Sequence, residues 1–263
     1  MTILDKIVLR KREEVALAKQ RLSIKELENG LHFGRDPYSF KDFLLDEQRT
    51  GIIAEFKRRS PSKGVINDKV SVEDVTTAYA SAGASALSVL TDTDFFGGHV
   101  EDLLAARAAN TIPILRKDFM IDEYQLVEAK ALGADIILLI AAILSPQEVS
   151  SLAATAKGLG LNVLLEVHNL EELERSICSD LDAIGVNNRN LADFTVDLQT
   201  SFDLVNVIPD EFLKISESAI SSAATIKDLK EAGFNGFLIG ENFMKTEDPG
   251  EAMRHFVREL ISV

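Results

Sequence analysis

The chain has 263 residues, of which 46% are hydrophobic and 27% charged, enough apolar side chain for one large core beneath a wet surface. Its formal net charge of −14 opposes nucleic acid and anionic membranes, so an anionic small molecule would have to be met by a local cluster of Lys and Arg. The single cysteine, Cys178, excludes an internal disulfide and a thiolate-rich zinc site, the four histidines lack metal-ligand spacing, and the longest apolar run, Ile136 to Leu144, falls far short of the roughly 20 residues of a membrane span.

The amino terminus carries mixed charge within its first residues and lacks the apolar core and small-residue cleavage site of a secretory signal, so a cytoplasmic protein is expected. Residues 1–50 read as a helical arm. Ile3, Leu4, Ile7 and Val8 share one helical face, Ser23 with Glu26 forms a capping-box pattern, and Phe40, Phe43 and Leu44 make a further apolar stripe. Such an arm must bury its apolar face against the rest of the chain, either beneath it or over a site.

From Gly51 onward, short β-branched runs alternate with longer amphipathic stretches, the pattern of repeated βα units. Strands are expected at Ile52–Phe56, Ala86–Leu90, Ile112–Leu115, Asp135–Ile140, Asn162–Val167, Ala183–Asn187, Leu213–Ser216 and Gly236–Ile239. Helical spacing covers Val72–Ala82, Val100–Ala109, Glu123–Leu132, Pro146–Leu159, Leu170–Ile177, Ile226–Ala232 and Pro249–Ile261, with Gly83, Gly133 and Gly233 placed as stops. Val196–Ile208, between the sixth and seventh strands, matches a helix poorly. Eight strands interleaved with helices predict an α/β fold of the (β/α)8 TIM-barrel type over residues 51–263, with an open doubly wound sheet as the weaker alternative.

In a barrel the C-terminal strand ends share one mouth, so polar residues there are the candidates for chemistry. Five strands end in such groups: Glu55 and Lys57, Lys117, Glu166, Asn187 with Arg189, and Glu217 with Ser218. Glu55 and Lys57 fall on one face of an extended segment, about 6–7 Å apart along the chain, so their charges support one another. An ordinary rim ion pair would look the same in isolation, and so would a solvated lysine after a strand. Repetition on neighbouring strands argues for function, because stability alone gives little reason to gather desolvated charges. Glu166 follows the apolar run Val163-Leu164-Leu165 and needs a partner or a raised pKa. His168 reads as a surface or packing residue at a loop start. Ser218 and Gly240 follow the last two strands, where loops often hold phosphate, and Lys57 could supply the balancing cation.

The strings carrying these residues are Ile53-Ala-Glu-Phe-Lys-Arg-Arg-Ser-Pro-Ser-Lys-Gly64, Leu90-Thr-Asp-Thr-Asp-Phe-Phe-Gly-Gly98, Ile114-Leu-Arg-Lys-Asp-Phe119, Leu164-Leu-Glu-Val-His168, Gly185-Val-Asn-Asn-Arg-Asn-Leu191 and Ile215-Ser-Glu-Ser218. In content and order they resemble the indole-3-glycerol-phosphate synthase family, along the whole barrel. The resemblance implies a phosphorylated small-molecule substrate, 1-(2-carboxyphenylamino)-1-deoxyribulose 5-phosphate. It also implies closure of the indole ring with loss of CO2 and water, without metal or cofactor. Lys117 would be the general acid, Glu166 would move protons during dehydration, and Lys57 would hold an anionic group. Glu55 would orient the lysines, Asn187 a substrate hydroxyl, and Arg189 would sit among the carboxylates. Glu217 would contact substrate beside Ser218, and Phe96 and Phe119 would flank its ring. Ser60, Ser218, Ala219, Gly240 and the amide of Glu241 would form the phosphate corner.

Two positions depart from the family pattern. Ala219 stands where Gly is usual, so its methyl is expected to resist a positive φ, and Asn242-Phe243 replaces a smaller residue and Leu. The expected assembly is a monomer, with docking to other enzymes of the pathway left open. Two further functions compete: another sugar-phosphate isomerase or a Schiff-base aldolase using Lys57 or Lys117, and a non-catalytic phosphate-binding barrel.

Overall fold

The structure is a computed structural model and describes residues 2–190 and 194–262. Leu191, the last residue of the family stretch beginning at Gly185, lies outside the described residues, as do Met1 of the expected arm and Val263 of the expected barrel.

Eight parallel strands close on themselves: β1 (Ile52–Phe56), β2 (Ala86–Leu90), β3 (Ile114–Lys117), β4 (Ile136–Ile140), β5 (Asn162–Val167), β6 (Ala183–Asn187), β7 (Leu213–Glu217) and β8 (Gly236–Ile239). Closure comes from β8 pairing with β1, Ile52 opposite Phe237, which rules out the open sheet. The strands are nearly continuous apolar runs because both their faces are buried. Alternate residues divide between two cores. Ile53, Ala86, Leu115, Ile136, Leu138, Leu164, Ala183, Leu213, Ile215 and Leu238 fill the barrel, whereas Ile52, Ala54, Leu87, Val89, Ile137, Val163, Leu165 and Ile184 meet the helices outside. Extending the same alternation by one step puts Glu55, Lys117, Glu166, Asn187 and Glu217 on the inner face, above this apolar filling.

Three strands differ in their bounds from the sequence expectation. β3 begins after Pro113, which has no N–H for the ladder, and continues through Arg116 and Lys117 because each charge has partners: Arg116 meets Glu128 (2.7 Å) outside the barrel and Lys117 points inward. β4 starts at Ile136, since Asp135 instead accepts bonds from the Ile114 and Tyr38 amides (each 2.8 Å). β7 runs on to Glu217, which stands opposite Asn187. The uncertain stretch between β6 and β7 holds one short helix, Gln199–Leu204. Two small elements were not legible: a hairpin pairing Arg59–Ser60 with Gly64–Val65 after β1, and a helix Glu241–Met244 after β8. The glycine stops behave as expected, with Gly83, Gly133 and Gly233 at φ 96°, 88° and 113°.

The arm does both things the sequence left open. Helix α1 (Ile3–Arg21), started by a Thr2 capping box, lays Ile3, Leu4 and Ile7 over the mouth of the barrel. Its buried Lys11 reaches Asp92 (3.0 Å) and Asp118 (2.9 Å) just beyond β2 and β3. The chain then descends the outside, where the Tyr124 hydroxyl donates to the carbonyls of Ala18 (3.1 Å) and Leu22 (2.9 Å). Helix α2 (Ile24–Glu28) follows its Ser23–Glu26 capping box and packs Leu27 against Tyr124 and Ala131. Finally helix α3 (Phe40–Leu44) seals the opposite end, with Phe40 and Leu44 joined to Ile53, Ala86 and Leu213 in the inner core.

Candidate active site

Every residue singled out at the strand ends lines one of two adjoining cavities at the C-terminal mouth. The first, about 130 Å³, is mostly apolar: Leu4, Ile7, Leu138, Ile140 and Leu238 surround Lys117, Glu166 and Glu217. Phe96 and Phe119 stand on its wall with ring centroids 5.9 Å apart and planes tilted by 41°. The second, about 520 Å³, is polar and lies above β7 and β8, bordered by Ser218, Ala219, Gly240 and the cations Lys57, Lys63, Arg189 and Lys245. Ser60 lines the first cavity with Ser62, their hydroxyls 3.4 Å apart, and Glu241 borders both.

At the centre, the Lys117 ammonium donates to Glu166 Oε2 and to Glu217 Oε2, each at 2.9 Å. Asn187 Nδ2 donates to the other Glu166 oxygen (3.1 Å), and Asn187 Oδ1 accepts from the Arg189 amide (3.0 Å). Glu55 forms its own pair, with Lys57 at 2.7 Å and the Ser88 hydroxyl at 3.2 Å. Arg189 does not join the central carboxylates. Its guanidinium pairs with Glu241 (3.6 Å) and donates to the Phe194 carbonyl (3.4 Å), because Arg189 lies past the end of β6 and points toward the polar cavity.

Two glycines make this crowding possible. A Cβ on Gly185 would stand 2.2 Å from Glu217 Oε1, and one on Gly240 would stand 2.6 Å from Glu55 Oε1. Each bare backbone therefore opens the space that a carboxylate occupies on the neighbouring strand.

The three groups around Lys117 do not share charge equally. Burial works against the Lys117 ammonium, but Glu166, Glu217 and Glu55 outweigh it and raise its pKa, so the lysine is protonated. Burial also disfavours an ionised Glu166, yet Lys117, His168 and the Asn187 bond overcome that and hold its carboxyl below the usual range. Glu217 goes the other way. Burial raises it, Lys117 only partly offsets that, and the charges on Glu166 and Glu55 add to the rise. Its Oε1 is buried without a hydrogen-bond partner. One lysine thus faces an ionised carboxylate on β5 and, on β7, a carboxyl whose pKa is raised to about 7.

The phosphate corner corrects one expectation. Ala219 does take a positive φ, 63°, directly after Ser218 at 66°, so the methyl did not forbid the turn that ends β7. Both residues sit in a region costing non-glycine residues about 1–3 kcal/mol, and such strain collects where a site needs a fixed backbone. The Phe243 departure is explained by packing: its buried ring lies between Tyr79 (5.8 Å) and Phe256 (5.5 Å) outside the barrel. Asn242 reaches the Ser221 carbonyl at 3.4 Å.

Several participants escaped the sequence reading. Ser88 supports Glu55, and its signal was a hydroxyl inside the apolar run Leu87-Ser-Val89 on the inward parity. His168 is half-buried, with its buried Nε2 3.4 Å from Glu166. Asn188 faces outward and ties β6 to β7 by donating to the Ser216 hydroxyl (3.1 Å) and the Glu217 carbonyl (3.0 Å). No helix among the described residues is long and apolar enough to cross a membrane.

Comparison with known proteins agrees with this geometry. The family model for indole-3-glycerol phosphate synthase matches residues 4–256. The indole-3-glycerol phosphate synthase of Bacteroides thetaiotaomicron is 50% identical over 258 residues, covering 98% of both chains. Among solved structures, a chain of the tryptophan synthase α2β2 complex of Pyrococcus furiosus superposes with a TM-score of 0.62 at 16% identity, covering 82% of this chain and all (100%) of that one. A mandelate oxidase mutant gives 0.60 at 13% identity over 81% of this chain and 72% of that one; both likenesses concern the fold alone. The chain belongs to the indole-3-glycerol phosphate synthase family, the carboxy-lyases that close the indole ring in tryptophan biosynthesis.

Proposed function

We propose that the ring around Lys117 converts 1-(2-carboxyphenylamino)-1-deoxyribulose 5-phosphate to indole-3-glycerol phosphate, and that its residues divide the work as follows. The observation that carries the reading is a lysine held between two buried glutamates at the edge of an apolar cavity. The substrate's aromatic ring enters that cavity between Leu138 and Leu238 and against Phe96 and Phe119. The ring carbon bearing the carboxylate attacks the sugar ketone while Lys117 gives its proton to the ketone oxygen, a step worth about 10²–10⁴-fold in rate. Loss of CO2 restores aromaticity. The new hydroxyl then leaves as water, and Glu166 takes the proton from the neighbouring methylene carbon.

Lys57 neutralises an anionic group of the substrate, with Glu55 holding its ammonium in place, and Asn187 meets a hydroxyl while fixing Glu166. Ser60, Ser218, Gly240 and the Glu241 amide take the phosphate at the polar cavity, where Lys57, Lys63 and Lys245 balance its charge. Arg189 keeps Glu241 in place, and Glu217 holds Lys117 beside the substrate. Arm and barrel form a single domain, since α1 supplies part of the apolar cavity.

The chain has no tryptophan, so product formation reads out directly as indole fluorescence on adding the carboxyphenylamino-deoxyribulose phosphate. Fluorescence growing in step with CO2 release is the expected result. Substrate consumed without CO2, or a borohydride-trappable lysine adduct, would overturn the reading.

A further inference from the structure

The proposed chemistry takes up one proton per turnover, because a carboxylate leaves as neutral CO2 and a ketone oxygen leaves as water. Lys117 supplies one proton to the ketone and the departing hydroxyl needs another, whereas the methylene carbon returns only one, to Glu166. The remaining proton must come from solvent. Yet Glu166 and Glu217 are buried, and the mouth above them is covered by α1 and, during turnover, by substrate.

A third cavity, about 470 Å³, lies beside the ends of β5 and β6 and is bordered by His168, Asn169, Glu172, Asn187 and Arg189. Asn187 and His168 both reach from that cavity to the proton-handling carboxylate, and of the two only His168 can release and regain a proton. Its Nε2 stands 3.4 Å from Glu166 Oε1, buried and without a hydrogen bond, and its Nδ1 lies 3.1 Å from Glu172 Oε2. Glu172 also accepts the His168 amide (2.8 Å), so the ring is held in this orientation from both its backbone and its side chain.

We propose that His168 is a proton relay between the side cavity and Glu166. The imidazolium gives its Nε2 proton to Glu166 Oε1: the N–H bond breaks, an O–H bond forms, and the ring is left neutral with Nδ1–H on Glu172. The neutral carboxyl then turns to bring that proton to the Lys117 amine, which stands 2.9 Å from Oε2, and the ring regains one from solvent in the side cavity. The 3.4 Å gap is of the kind that closes when a site fills. Burial works against a charged ring, but the Glu172 bond and the charges of Glu166, Glu172 and Glu217 raise its pKa above the ordinary histidine value. The shift favours the form of the ring that has a proton to deliver. It acts through Glu166 and does not touch the substrate.

This inference rests on Glu166 being a proton carrier, so the two are tested separately. Glu166→Gln should abolish turnover; normal turnover there would remove the carrier and the relay together. His168→Ala should lower kcat by about 10-fold or more while leaving KM unchanged, a smaller loss than removing the acid–base group itself. Imidazole added to the solution should enter the vacated side cavity and restore kcat saturably, which a merely structural histidine would not show. Unchanged kcat in His168→Ala, or a loss that imidazole does not restore in a variant with the thermal unfolding profile of the parent, overturns the relay even if Glu166→Gln is inactive. Should His168→Ala not fold, His168→Gln decides. It fills the same space with no group able to carry a proton onward, so reduced kcat at unchanged KM supports the relay and normal kcat overturns it.

Discussion

The two ends of the barrel are built on the same strands with the same alternation, and the same arm closes both, yet they hold opposite kinds of residue. At the C-terminal end the inward positions are Glu55, Lys117, Glu166 and Glu217, with the three glutamates buried and Lys117 bonded to Glu166 and Glu217. At the N-terminal end they are Ile53, Ala86, Ala183 and Leu213, stoppered by Phe40 and Leu44. Apolar contact at the bottom stabilises without direction, whereas gathering charge at the top costs desolvation that only geometry and chemistry justify. Activity and stability should therefore separate along the barrel axis.

The sharpest way to break that separation is Lys117→Met. It should lower kcat by about 10²–10⁴-fold or more while substrate still binds, as read by single-turnover fluorescence and by equilibrium titration. Appreciable turnover would place the proton donor elsewhere.

Phe40→Ala is the mirror experiment. Truncating a fully buried ring should cost about 3–5 kcal/mol of unfolding free energy in urea, with kcat per folded molecule unchanged. A kcat that fell in proportion to stability would show the two ends to be coupled.

A third test uses pH. Because Glu217 has its pKa raised in the folded chain, the fold keeps a proton that the unfolded chain gives up, so this residue lowers stability as pH climbs from the ordinary carboxylate pKa through its own. Glu217→Gln removes that dependence. Its stability relative to the parent should rise between about pH 4 and neutrality, and a difference flat in pH would mean Glu217 is ionised throughout.

The smallest expected effect lies at the phosphate corner. Ala219→Gly relieves a left-handed alanine and should add about 1 kcal/mol of stability with little change in KM. A raised KM would mean that the strained backbone holds the phosphate amides in place.

Much of this arrangement was legible beforehand. Strand candidates fell within two residues of the observed bounds, because a strand buried on both faces is an apolar run whichever neighbours it has. The polar strand ends were legible too, since inward parity carries Glu55 up from Ile53 and Glu166 up from Leu164. By sequence His168 reads as a surface or packing residue, because its meaning depends on Glu166 and Glu172, which lie two residues before and four after it on different faces of the turn. Lys11 was invisible for a similar reason: its partners Asp92 and Asp118 are about eighty and a hundred residues away.

By itself, then, the sequence determined the alternation of strands and helices, the face each side chain takes, and the chemical character of the strand ends. All of these follow from local periodicity and from which residues tolerate burial. Only the tertiary structure decided which charges meet. Closure of the barrel brings Lys117 between Glu166 and Glu217, and the bare backbone of Gly185 lets Glu217 approach. The shared low-dielectric space then leaves one glutamate ionised and raises the pKa of the other, a difference that belongs to the cluster and to neither residue alone.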